Sequence, residues 1–124
     1  MKRINPCAII INKKGELLLQ LRDIEPEKGK WVLFGGRLED NESEEETCKR
    51  EIKEELNYEI KSLKFFKTYE DEKTITPIFI IQEQVEINQL KLQEGSAMKF
   101  FKPGEIKNLD IGFNQKDIIL EFLK

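Results

Sequence analysis

The chain has 124 residues, of which 39% are hydrophobic and 36% charged, and these figures suit a single domain spanning residues 1–124. The net charge of −3, with Lys and Arg scattered along the chain, argues against a surface for nucleic acid polymers. No apolar run approaches the roughly 18 residues of a membrane span. The N-terminal residues lack the apolar region and the small-residue cleavage site of a signal peptide, so a cytoplasmic location is expected. The chain has no histidine, which excludes Ser-His-Asp triads and zinc sites with imidazole ligands.

The first part of the chain has the pattern of β-structure. Residues 4–12 contain a run of apolar, mostly β-branched side chains, which predicts a buried strand. A turn at Asn12–Gly15 leads into a returning strand at Glu16–Leu21. Residues 23–30 are polar and contain proline and glycine, and they are predicted to form a loop.

A short strand is predicted at Trp31–Phe34, and the Gly35-Gly36 pair ends it. Residues 37–39 have the pattern of a second short strand.

A helix is predicted to begin after Ser43 and to continue to about Leu56. Ser43 followed by Glu46 fits the capping-box pattern, in which each residue satisfies a backbone N–H of the other. Asn57 is the predicted C-cap because asparagine tolerates the left-handed conformation better than most residues.

The second half of the chain predicts two long strands and a terminal helix. The strands lie at residues 60–72 and 74–87, with a hairpin turn near Asp71–Lys73, and Pro77 is expected to mark the start of the second strand or a bulge in it. The order of strands, helix, strands and helix predicts an α/β or α+β sandwich with a mixed sheet. The remaining elements are a loop at 88–98, a strand at Lys99–Phe101, a helical turn at Pro103–Ile106 and an amphipathic helix at Asn114–Lys124.

Three glutamates on the predicted central helix share one face. At about 100° per residue, Glu51, Glu54 and Glu55 fall within an arc of roughly 100° beside the apolar stripe of that helix. Like charges one turn apart repel, and a divalent cation would compensate them. The alternative is a solvated acidic face, which is the commoner fate of a charge run. The border with the core and the preceding Gly35-Gly36 turn, where a ligand can approach the backbone closely, favour a site.

Two further residues bear on this face. Arg50 precedes Glu54 by four residues, so its guanidinium can hold that carboxylate in place or form an ordinary surface ion pair. Glu42 lies near the helix start, where it either supports the site or only places a favourable charge at the helix N-terminus.

The motif that these residues form resembles the Nudix box, G-x5-E-x7-R-E-U-x-E-E-x-G-U, where U is aliphatic. Asn57 and Tyr58 replace the last two fixed residues, and neither change removes a carboxylate. The likeness extends over roughly residues 4–123. The matching positions are Gly36, Glu42, Arg50, Glu51, Ile52, Glu54 and Glu55.

The resemblance implies an α/β/α sandwich and hydrolysis of a nucleoside diphosphate linked to another group X, with Mg²⁺ or Mn²⁺ as cofactor. It implies that Glu51, Glu54 and Glu55 are metal ligands, with the Gly35 carbonyl as a further ligand, and that Arg50 orients the glutamates. The general base stays open between Glu51 and Glu94. The expected partner is a small nucleotide, and the chain is expected to be a monomer or a homodimer.

Substrate contacts are less constrained by the sequence. Arg22 can pair with a phosphate or stand as an exposed arginine at a strand end, and Trp31 and Phe34 can stack on a base or pack in the core. The Gly36 backbone is the remaining candidate contact. Two alternatives to hydrolysis are a nucleotide sensor on the same fold and a diphosphate isomerase, although the chain has little of the cysteine or histidine chemistry of such isomerases.

Overall fold

The computed structural model describes residues 1–93 and 95–124, and it arranges them as two sheets flanked by helices. Short 3₁₀ turns occur at Ile87–Gln89 and Pro103–Asn108. The helices are α1 (Glu44–Leu56) and α2 (Gln115–Phe122). The strands are β1 (Arg3–Ile4), β2 (Cys7–Ile9), β3 (Leu17–Leu21), β4 (Trp31–Val32), β5 (Phe34–Gly35), β6 (Leu63–Glu70), β7 (Thr74–Ile81) and β8 (Ala97–Phe101).

The larger sheet is mixed, as the order of elements predicts. Strands β1 and β2 both run parallel to β7, whereas β6 pairs with β7 and β5 with β2 in antiparallel fashion. The smaller sheet has the order β4-β3-β8 and is antiparallel. The prediction of an α/β sandwich with a mixed sheet is therefore confirmed.

Both faces of the larger sheet are buried. Along β2, Cys7 and Ile9 enter one hydrophobic cluster while Ala8 and the following Ile10 enter the other, as the two-residue period of a strand requires. Helix α1 packs into the cluster that contains Ala8, and α2 packs into the opposite one. The helices thus cover opposite faces of the sheet.

Helix α1 begins and ends where the sequence predicts. Ser43 is the N-cap, its hydroxyl accepts the Glu46 N–H at 3.1 Å, and the Glu46 carboxylate accepts the Ser43 N–H at 2.7 Å. Asn57 closes the helix with φ of 52° and ψ of 40°, the left-handed conformation expected of a C-cap.

Pro77 lies within β7 rather than at its start. Its neighbours Ile75 and Ile78 pair with Ile4 and Cys7, so it lies opposite the break between β1 and β2. No strand hydrogen bond is needed from its missing N–H on that side. The register shift in this hairpin occurs on β6, between Phe65 and Lys67.

The predicted strand at Trp31–Phe34 divides at Leu33. Strand β4 pairs with β3 in the smaller sheet and β5 with β2 in the larger one, so this segment passes from one sheet to the other. The Leu33 N–H donates to the buried Gln115 side chain at 2.7 Å instead of to a strand. Residues 37–39 form no strand, although Leu38 N donates to Ile4 O at 2.9 Å. Within the described residues, no helix is long and apolar enough to cross a membrane.

Candidate active site

A cleft of about 890 Å³ opens beside the Gly35-Gly36 pair. Its walls come from the N-terminal segment, the loop after β3, strand β5, the end of α1, the β6–β7 hairpin and the turn before α2. The lining residues used below are Arg3, Cys7, Arg22, Ile24, Pro26, Val32, Gly35, Gly36, Arg37, Glu55, Phe113 and Asn114.

Arg50 is the centre of an ion-pair network on α1. Its Nε and Nη2 donate to the two oxygens of Glu42 at 2.6 and 3.1 Å, a two-pronged arrangement that fixes the guanidinium plane. Its Nη1 donates to Glu51 Oε1 at 2.9 Å and to Glu54 Oε1 at 3.3 Å. Nη2 also donates to the Arg37 carbonyl at 3.1 Å. One arginine therefore positions two of the three glutamates predicted as metal ligands.

Glu42, which binds Arg50, is fixed by further hydrogen bonds. It also accepts the Thr47 hydroxyl at 2.8 Å and the Glu39 N–H at 3.1 Å. The hydrogen bond from Arg50, followed by those from Thr47 and Glu39, lowers the pKa of Glu42 to about 2. The same bond is the largest cause that raises the pKa of Arg50. Of the two roles considered for Glu42, the contacts are those of a residue that supports the site.

Close approach of neighbouring groups explains the glycines at positions 35 and 36. A Cβ on Gly36 would lie 2.2 Å from Cδ of Glu51, so the Gly36 backbone packs directly against that carboxylate. A Cβ on Gly35 would lie 2.4 Å from the Pro6 carbonyl oxygen on the neighbouring segment. Neither glycine has a positive φ, so space rather than backbone conformation explains both.

Glu54 and Glu55 differ in their surroundings. Glu54 is 55% exposed at its side chain, whereas Glu55 is half-buried and lines the cleft. Cys7 lies close enough to Glu55 and Glu51 for their charges to act on it. Burial first, and then these two charges, raise the pKa of the Cys7 thiol to about 12, so it remains a neutral wall of the cleft.

The chemistry of these donors fits a hard divalent cation, which prefers carboxylate and carbonyl oxygens. Glu51 packs against the Gly36 backbone, so a carboxylate lies directly against a residue that lines the cleft. Within residues 1–93 and 95–124, no three acidic, histidine or cysteine side chains are grouped closely enough to hold a metal ion together. The present contacts of Glu51 and Glu54 are instead with Arg50. Glu94, the other candidate base, lies outside the described residues.

The structure places only two of the four predicted substrate contacts at the cleft. Arg22 and Gly36 line the cleft. Phe34 is fully buried in the core beside α1, where its ring cannot meet a base. Trp31 is half-buried and packs edge-on against Phe101 at 4.8 Å, away from the residues that line the cleft. Core packing, the alternative considered for both aromatic residues, is what the structure shows.

Sequence reasoning missed several cleft residues. Arg3 and Arg37 add positive charge to the walls, and Ile24 and Phe113 place apolar side chains at the cleft with 61% and 41% of their surface exposed. The Gly-Phe-Asn sequence at 112–114 was the available signal, since glycine and asparagine are both common in turns. Nothing local indicates that this turn reaches the Gly35-Gly36 region.

Comparisons with known proteins agree with the motif. The model of the NUDIX domain matches residues 1–122. A CTP pyrophosphohydrolase of Escherichia coli (strain K12) is 38% identical over 60 residues, which are 48% of this chain. The matched segment spans less than half of that relative, 44% of its length.

Solved structures share the fold over nearly the whole chain. The MutT protein of Methanosarcina mazei Go1 is 25% identical with a TM-score of 0.80, over 98% of this chain and 92% of that one. The NUDIX domain of Shewanella oneidensis NrtR, solved with ADP ribose, is 18% identical with a TM-score of 0.83, over 100% of this chain and 90% of that one.

Proposed function

The chain belongs to the Nudix family, and from this premise we propose that it hydrolyses the diphosphate linkage of a nucleoside diphosphate bonded to another group X. The observation that carries the proposal is the carboxylate arrangement on α1. Arg50 holds Glu51 and Glu54 together, and Glu51 lies against the Gly36 backbone at the wall of the cleft. Such an arrangement places negative oxygens where a substrate diphosphate would enter.

The proposed reaction requires a divalent metal ion, as Nudix hydrolases generally do. Glu51, Glu54, Glu55 and the Gly35 carbonyl would hold Mg²⁺ or Mn²⁺. The bound cation would neutralise phosphate charge and make a water molecule more acidic. A bound cation would also offset the repulsion among the three carboxylates on α1.

The residues of the chain would orient the carboxylates and accept the proton of the attacking water. Arg50 keeps the Glu51 and Glu54 carboxylates in a fixed orientation, and Glu42 keeps Arg50 in its plane. Water attacks one phosphorus atom as the bridging P–O bond breaks, and its proton passes to a carboxylate. Glu51 and Glu94 remain the two candidates for that base.

The positive residues of the cleft would contact the phosphates. Arg3, Arg22 and Arg37 all line it, and a guanidinium binds two phosphate oxygens at once. Arg3 and Arg37 are thus the proposed phosphate contacts. Arg22 also lines the cleft, but its guanidinium lies 5.1 Å from the Phe113 ring centroid and its Nε donates to the Pro26 carbonyl. The substrate would be a nucleoside triphosphate, a nucleotide sugar or a similar compound.

The test is turnover of a substrate panel with Mg²⁺, measured by product identification. The panel contains CTP, the dNTPs, oxidised dGTP, ADP-ribose, nucleotide sugars and dinucleoside polyphosphates. Glu54→Gln and Glu55→Gln are each expected to lower kcat by about 100-fold or more while leaving the fold intact, because charge stabilisation in the transition state is lost.

Glu59→Gln is the matched control. Glu59 is exposed just beyond α1 and does not line the cleft, so its substitution is expected to leave kcat within about twofold of the parent. Undiminished turnover in both Glu54→Gln and Glu55→Gln would overturn the proposed role of the carboxylates.

A nucleotide-binding module without turnover is the second candidate. The observation that favours it is the shared fold with the NrtR domain solved with ADP ribose. Calorimetry with ADP-ribose and Mg²⁺, followed by phosphorus NMR over hours, separates the candidates. Tight binding without product would support the module, whereas release of two phosphate-bearing products supports the hydrolase.

A further inference from the structure

Three exposed apolar residues form a rim on the cleft. It consists of Ile24, Pro26 and Phe113, all of which line the cleft and are exposed. Large apolar side chains left in water are unfavourable unless a ligand or partner covers them. The grouping of these three at the mouth of a cleft points to a small ligand with an apolar, flat part.

Phe113 is held in a conformation that its side chain does not favour. Its φ is 56° and that of Asn114 is 60°, so two successive residues other than glycine are left-handed. Neighbouring contacts maintain this turn: Gly112 N donates to Trp31 O at 3.0 Å, and Gln115 N donates to Gly112 O at 3.1 Å. Backbone strain of this kind persists only where the surroundings impose it, and it concentrates at functional sites.

The loop after β3 fixes the position of the Phe113 ring. The Arg22 guanidinium carbon lies 5.1 Å from the ring centroid, and Arg22 Nε donates to the Pro26 carbonyl at 2.6 Å. The Glu27 carboxylate accepts the Phe113 backbone N–H. Two distant segments therefore lock one another, and the aromatic ring is preorganised before any ligand binds.

The chain from Val32 to Gly36 connects the Phe113 turn to the carboxylates of α1. Beside Phe113, the Gly112 backbone lies against Val32, because a Cβ there would be 3.2 Å from Val32 Cγ1. Gly36 lies against Glu51. The four residue-to-residue steps from Val32 to Gly36 span at most about 14 Å in an extended chain. A nucleoside diphosphate can bridge this span, with its base at the rim and its phosphates near α1.

We propose that Phe113, backed by Arg22, is the residue on which the nucleobase of the substrate stacks. This inference rests on the proposed function, because it assigns the base-binding end of the same cleft. Stacking uses the π-face that every base presents, so the contact sets affinity for a base rather than the choice among bases. Specificity among bases would then require the polar groups around the ring.

The test compares substitutions at Phe113 in binding and in turnover. With CDP as the probe and no metal present, calorimetry is expected to show that Phe113→Ala raises Kd by about 10-fold or more, and Phe113→Leu by nearly as much. Phe113→Trp is expected to bind within about twofold of the parent, because it keeps a flat ring. With the best substrate of the panel, Phe113→Ala is expected to raise KM and to leave kcat within about threefold.

Phe65→Ala is the matched control. Phe65 is also an exposed phenylalanine, with 52% of its surface accessible, but it does not line the cleft. Its substitution is expected to change neither Kd nor KM. Circular dichroism checks that each variant is folded.

The two proposals fail in different ways. Parent protein that binds CDP but hydrolyses nothing would overturn hydrolysis and leave the stacking test intact. A folded Phe113→Leu variant with unchanged Kd would overturn the stacking role, whatever the activity of the parent.

Discussion

At the scale of single residues, the candidate site depends on two glycines, whose lack of a side chain lets neighbouring groups approach closely. Gly36 allows the chain to pass directly against the Glu51 carboxylate. A Cβ at this position would lie 2.2 Å from Glu51 Cδ. The obstructing atoms are the end of a flexible side chain, which can move aside. At Gly35 the obstruction is the Pro6 carbonyl, which belongs to the backbone and cannot move without shifting its strand.

Gly36→Ala should therefore separate activity from stability. The new methyl group displaces the Glu51 carboxylate, and a shift of about 1 Å is enough to lower kcat by about 10-fold to 100-fold. The free energy of unfolding should change by less than about 1 kcal/mol. Steady-state kinetics and urea denaturation measure the two effects.

Gly104→Ala serves as its control, because a Cβ there meets no atom within 4 Å. It should alter neither quantity. Full activity of a folded Gly36→Ala variant would contradict the proposed role of this close approach.

At the scale of elements, helix α1 carries the site and its ends are set locally. The capping box at Ser43 and Glu46 fixes the first turn, and Asn57 ends the last one. The position of the end matters because Glu54 and Glu55 lie in the last turn. A longer or frayed helix would alter their orientation towards the cleft. The Glu55 carbonyl also accepts the Gln93 N–H at 2.8 Å, which ties this turn to a later loop.

Asn57→Ala is expected to destabilise the protein by about 1 kcal/mol, since alanine is unfavourable in the left-handed conformation. Asn57→Gly should equal or exceed the parent in stability, because glycine adopts a φ of 52° without strain. Thermal and urea unfolding provide the measurement. Equal stability of the alanine and glycine variants would refute this account of the helix end.

At the scale of the whole molecule, two tyrosines connect elements that are distant in sequence. Tyr58 donates to Glu83 at 2.8 Å and so links the end of α1 to the segment after β7. Tyr69 on β6 donates to Glu121 of α2 at 2.9 Å. Burial first, and then these carboxylates, raise the pKa of each phenol from 10.0 to about 12. Both connections require a neutral phenol.

The stability of the fold should consequently fall at alkaline pH. Unfolded tyrosine ionises near pH 10 and the folded phenols near 12, so their contribution is complete below pH 10 and is lost as pH rises through about 12. Denaturation at several values between pH 10 and 12 tests this, with Tyr58→Phe/Tyr69→Phe as the comparison. Lysines titrate in both proteins, so only the difference reports on the phenols. Identical pH profiles would count against these links.

The sequence alone was sufficient for the features that arise from neighbouring residues. The capping box, the Asn57 cap and the carboxylate face of α1 depend on spacings within two or three helical turns, and the structure has the helix where the spacing places it. The strands β3 and β7 and the hairpin turn at Asp71 also follow from local patterns. The apolar run within residues 4–12 also predicted a buried strand, and β2 is buried throughout.

Only the tertiary structure decided which residues face the cleft. Phe34 was a candidate for stacking and is buried, whereas Phe113 was not considered and lies at the cleft. The reason is that the turn before α2 is held from about 80 residues away along the chain: Gly112 N donates to Trp31 O, and Leu33 N donates to the Gln115 side chain. The same contacts divide the predicted strand at Leu33 between two sheets. Pairings of this length depend on the packing of the whole chain, and no local spacing encodes them.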